Sequence, residues 1–120
     1  MGALVKQMPA EPRNRDYLRE QWRVAALEFN AADDNASRLE EGRKLLLDDM
    51  TLRLMEGGES ATKAEKIART SEQFRTYLRK MHDARREAND LKIRAENANR
   101  LYWESVSVEA TERAERRMSR

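Results

Sequence analysis

Two runs of core-type residues, each repeating at alternating steps of four and three, constrain this chain more than any other feature. The first is Leu18, Trp22, Ala25, Phe29, Ala32, Ala36, Leu39, Arg43, Leu46 and Met50, with only Arg43 polar. The second is Phe74, Tyr77, Met81, Ala84, Ala88, Leu91, Ala95, Ala98, Tyr102 and Ser105, with only Ser105 polar. Such alternation holds one stripe of side chains on one side of an α-helix, the seam along which it packs on a neighbour. Sustained period-two alternation is absent, which excludes strands.

Chain breakers fall where two helices would be joined. Pro9 and Pro12 lie in the first dozen residues, and Gly57-Gly58 follows a stretch whose only glycine is Gly42. An internal helical glycine costs about 1 kcal/mol relative to alanine. Beyond the glycine pair, Ser60 is placed to cap a short helix, and Thr70 with Gln73 has the spacing of a capping box. The expected organisation is a flexible leader over 1–13, or in part residues foreign to the protein, and one helical-hairpin domain over 14–120. Its elements are helices over 14–56, 61–69 and 71–117. The fold class is all-α: a long antiparallel, coiled-coil-like hairpin with an alanine-rich seam and a short connecting helix at the bend.

Charge supports that register. Charged residues make up 38% of the chain, yet 24 Lys and Arg nearly balance 22 Asp and Glu, and the signs are interleaved as in long helices. Residues 1–59 carry 9 basic and 12 acidic side chains, whereas 60–120 carry 15 and 10, so the two halves attract. In an antiparallel pair, residues whose numbers sum to 125 match as Asp33–Lys92, Glu40–Arg85 and Leu47–Leu78. The other flank matches Glu28 with Arg94. Within the helices, Asp34–Arg38, Glu40–Lys44, Asp49–Arg53, Glu96–Arg100, Glu109–Arg113 and Glu112–Arg116 are acid-first pairs four residues apart. Arg43, alone among apolar seam residues, is expected to snorkel or to set register.

Few residues suit catalysis. With no cysteine there is no disulfide, thiolate metal site or thiol nucleophile. His82 is the sole histidine, and its helical neighbours Leu78, Arg79, Arg85 and Arg86 supply no carboxylate or second imidazole. Adjacent acids such as Asp33-Asp34 and Asp48-Asp49 point about 100° apart on a helix and form no dyad. Gly57-Gly58 lacks the surroundings of a phosphate loop. No enzyme, cofactor or metal is expected. No apolar run reaches the ~18 residues of a membrane span, and Lys6 stands where a myristoylation motif needs Ser or Thr after Gly2. A cytoplasmic location without membrane contact is the expectation.

What the seam leaves out points to partners. Leu45, Leu52, Ile93, Leu101, Trp103 and Val106 lie off it, beside a core thinned by alanine, and together they argue for a homodimer and a protein-binding surface. Leu54 and Met55 are expected to be covered through Ile67 of the short helix. A nucleic-acid alternative rests on Arg79, Arg86, Arg100, Arg113, Arg116 and Arg117, with Trp103 available for stacking. Against it, Glu72, Asp83, Glu87, Asp90 and Glu96 are interspersed among the bases.

Residues 69–117 resemble the C-terminal half of small helical proteins encoded by tailed bacteriophages. The resemblance rests on Ala68-Arg69, Ser71, Phe74, Met81, Ala84-Arg85, Ala88-Asn89, Ala110-Thr111 and Arg113-Ala114-Glu115. It implies an accessory factor accompanying recombination, replication or host-interaction genes, with a host or phage protein as partner in the cytoplasm of a bacterial host. It carries no functional residue across. Secreted helical hairpins with a Trp-x-Gly turn differ, since the bend here reads MEGGES.

Overall fold

A computed structural model describes residues 14–119; the expected leader over 1–13 lies outside the described residues. The chain is all-α, with α1 over Arg15–Glu56, α2 over Ala61–Arg69 and α3 over Glu72–Met118. It divides into two compact units, one made of the chain up to Phe29 together with Leu91 onward, the other of Asn30–Asp90. In both, α1 and α3 pack antiparallel.

Helix ends follow the local chemistry. Asn14 Oδ1 accepts from the backbone N–H of Asp16 and Tyr17 at 2.9 and 3.2 Å, which caps α1. At its other end the Glu59 N–H donates to the Leu54 carbonyl and the Gly58 N–H to that of Met55. That pair of bonds is a Schellman closure, and it needs the left-handed residue supplied by Gly58 at φ 108°. Ser60 caps α2 through the Lys63 N–H. The capping box expected at Thr70 is not formed, because the Thr70 hydroxyl donates back to the Lys66 carbonyl. Ser71 caps α3 instead, accepting from the Phe74 N–H at 3.2 Å.

The first unit holds residues 15–29 of α1 and 91–118 of α3. Leu18, Ala25 and Ala95 are its buried core, with Trp22, Phe29, Leu91, Ala98 and Tyr102 half-buried around them. Arg15 reaches Glu109 at 3.2 Å across the pair, so Glu109 does not take Arg113. The expected Glu28–Arg94 and Glu96–Arg100 ion pairs are not formed.

In the second unit, two clusters make the core. Ala36, Ala84 and Ala88 pack with Ala32 and Leu39. Leu47, Ala68 and Phe74 pack with Leu46, Met50, Leu54 and Leu78. Ala36, Ala64, Ala68 and Ala88 are the buried side chains with 0% exposure, because helices approach most closely where side chains are smallest. α2 therefore covers Leu54 through Ala68 rather than Ile67, which stays 37% exposed.

Arg43, though in seam spacing, is exposed, and Leu47 takes the interior position. The buried residues of α1 are Leu18, Ala25, Ala36 and Leu47, and from Ala25 onward they recur every eleven residues, not seven. Eleven residues are close to three full turns of a 3.6-residue helix, so Ala25, Ala36 and Leu47 stay near one line.

Gly42 is half-buried against α3. The Tyr77 hydroxyl donates to the Leu39 carbonyl and sits where a Gly42 Cβ would be only 2.6 Å away. Gly42→Ala sets a helix-propensity gain of about 1 kcal/mol against displacement of that hydroxyl. Urea denaturation is expected to show the full gain only in a Tyr77→Phe background. Equal effects in both backgrounds would refute the contact.

Candidate protein-interaction surface

An electrostatic clamp sets the register of the second unit. Arg85 donates from Nε and Nη2 to the two oxygens of Glu40 at 2.9 and 2.8 Å, and from Nη1 to Asp33 at 2.7 Å. Its Nη2 also reaches Ser37 Oγ at 3.3 Å. Glu40–Arg85 is the expected match, while Asp33 takes Arg85 in place of Lys92, and Glu40 is thereby drawn from Lys44. A bidentate guanidinium–carboxylate pair fixes direction as well as distance. It holds the Glu40 carboxyl below its ordinary value of 4.5, chiefly by the Arg85 hydrogen bond, and raises the Arg85 guanidinium. A carboxyl depressed on folding contributes stability that is present at neutral pH and lost as pH falls through its folded value. Thermal melts should therefore weaken below about pH 4.5, with a smaller acid-dependent drop in Arg85→Gln. An unchanged pH profile in that variant would remove the clamp's role.

Helical geometry divides the six apolar candidates. Leu101 and Trp103, two residues apart on α3, point about 160° from each other, so they share no surface. Ile93 is 65% exposed and Leu101 40% exposed, and Leu101 is flanked by Val108 seven residues on. Val106 is half-buried rather than free, and it lies on the flank of Trp103. On α1, Leu45 and Leu52 are seven residues apart on one outer face, at 72% and 55% exposure. The single patch expected from sequence is thus three separate ones.

Trp103 nevertheless belongs to a defined cluster. It is 54% exposed and meets Tyr102 edge-on, with centroids 5.2 Å apart and planes at 73°. Tyr102 in turn packs on Trp22 at 5.5 Å. Trp22 is a seam residue, and Tyr102 is what links it to Trp103. One turn before Trp103, the buried Asn99 Oδ1 has no hydrogen-bond partner. The flank therefore presents aromatic area, and aromatic rings with a polar edge are favoured in protein contacts.

The basic candidates are partly committed. Arg79 pairs with Glu72 at 3.2 Å, and Arg100 lies near Glu104 at 3.8 Å and bonds Asn97. Arg116 donates to the Glu112 backbone carbonyl at 3.4 Å instead of to its carboxylate. Asp34–Arg38 and Asp49–Arg53 form as expected. Arg86, Arg113 and Arg117 are exposed and enter no ion pair among the described residues. Beyond Glu109, residues 110–119 are all exposed. His82 is exposed as well, and no cluster of three metal-ligating side chains occurs among the described residues. No described helix is long and apolar enough to cross a membrane.

Comparisons with protein-family models, with curated proteins and with solved structures find no match. The reading of function therefore rests on surface chemistry.

Proposed function

We propose that this chain is a non-enzymatic helical interaction protein that self-associates and binds a protein partner through the Trp22–Tyr102–Trp103 flank. The observation that carries this reading is Trp103, a large apolar ring left half in water and edge-on to Tyr102, which itself packs on Trp22. A pre-oriented aromatic gives up little side-chain entropy on binding, and tryptophan and tyrosine dominate the energetics of interfaces. The resemblance to phage helical proteins supplies the setting: an accessory factor in the bacterial cytoplasm, acting on a host or phage protein in recombination, replication or counter-defence.

Trp103→Ala tests it. Sedimentation is expected to give a dimer at tens of micromolar for the parent chain, and a variant that dissociates with its melting temperature retained. Capture of a bacterial protein from lysate should be lost in the same variant. A parent chain that stays monomeric removes self-association, and capture indifferent to Trp103 removes the partner surface.

A second reading, a nucleic-acid helper, is supported by the wholly exposed 110–119 segment with Arg113, Arg116 and Arg117. It predicts a salt-sensitive mobility shift abolished by deleting residues 113–120. No shift at low salt would eliminate it.

A further inference from the structure

The second unit holds a groove between α1, α2 and α3 that the aromatic flank does not use. Between Leu39 and Leu46, α1 offers inward only Gly42, and Tyr77 fills the space above it. Below remains a groove of about 500 Å³. Leu47 and Phe74, at 9% and 6% exposure, form its floor with Leu78. Arg43, Lys44 and Asp48 line one rim. The opposite rim is the Arg69–Glu65 pair, closed by hydrogen bonds of 2.7 and 3.1 Å to one oxygen.

We propose that this groove binds a small amphipathic anion, its apolar body on Leu47, Phe74 and Leu78 and its acid group between Arg43 and Lys44. Arg69 is already neutralised by Glu65, whereas Arg43 and Lys44 enter no ion pair among the described residues, and Asp48 is the one other acid in the lining. The uncommitted charge beside the apolar floor is therefore positive. A fork of guanidinium donors and a neighbouring ammonium suits a carboxylate, sulfonate or phosphate. The volume lies within the ~300–1,000 Å³ range of small-molecule sites. Three floor residues seat one apolar body, not the row of anchors a docked helix needs.

Decanoate is the probe, titrated into the full chain and followed by amide chemical shifts, with decanol as its uncharged counterpart. Saturable shifts confined to residues of the groove are expected, with decanol binding about tenfold or more weakly. The Arg43→Gln/Lys44→Gln variant changes exposed side chains only, so its melting temperature should hold while decanoate affinity falls about tenfold or more. Leu78→Trp, which fills the groove, should abolish binding of both probes. The proposal is overturned if decanoate causes no saturable shifts, or if decanol binds equally well. Affinity unchanged in the double-glutamine variant would also overturn it, as would binding of an acidic–apolar peptide but not decanoate. Loss of partner capture in Trp103→Ala bears on neither result, since Trp103 belongs to the other unit.

Discussion

Phe74→Ala is expected to lower unfolding stability by about 3 kcal/mol, the low end of the range for a buried phenylalanine. Phe74 is 6% exposed and is the one aromatic ring in the cluster that joins all three helices, with Leu47 of α1 and Ala68 of α2. Removing it takes away the apolar surface against which the short helix closes, and leaves a void beside a groove already open to water. That neighbouring groove is why the cost falls toward the low end: solvent enters the space and no sealed cavity remains. The loss should appear as a lower urea midpoint and as faster amide exchange across α2 than across the Ala36–Ala88 region. Uniform exchange in all three helices would show that Phe74 does not hold α2 in place.

Ala88→Leu is expected to destabilise by about 1–3 kcal/mol through overpacking. On hydropathy alone, a larger apolar residue in a thin core should stabilise. The opposite is expected because Ala88 and Ala36 are both at 0% exposure in one cluster with Ala84, leaving no room for added methylenes without separating the helices. Ala114→Leu is the control: it is exposed, and its effect should stay within about 0.5 kcal/mol. A stabilised Ala88→Leu protein would mean that the alanine seam is loose, and that the apolar surplus off the seam has a packing role instead.

The two predictions address different ways of making a core from little material. Around Phe74 a large ring covers the space left between three helices. Around Ala88 small side chains let two helices approach, so that backbone and Cβ atoms supply the dispersion contacts. Neither region buries a charge. The ion pairs at the flanks, Arg85 with Asp33 and Glu40 above all, discriminate among registers more than they add stability.

Much of this was legible in the sequence. The Gly57-Gly58 closure, the Ser60 cap, the bounds of α2 and the match of Glu40 with Arg85 depend on chemistry within a few residues or on one strong charge pair. The misplacements have separate causes. Thr70 and Ser71 both had a capping hydroxyl, and the choice between them depended on which carbonyl at the end of α2 needed a donor. Arg43 continues the 4-3 spacing of the seam yet is exposed, while Leu47, four residues on, is buried. The eleven-residue recurrence of Ala25, Ala36 and Leu47, present in the sequence, marks the buried line.

By itself, the sequence determined that the chain is helical, where it turns back, and which faces meet, because periodicity, capping and charge order act along one helix or between two facing helices. Only the tertiary structure decided how near the helices come and what the off-seam residues amount to. Gly42 became a seat for the Tyr77 hydroxyl, one expected apolar patch became three, and Arg43 moved to the rim of a groove. Those outcomes depend on angles around a helix and on distances between helices, which a spacing of three or four residues specifies to no better than about one side chain's width.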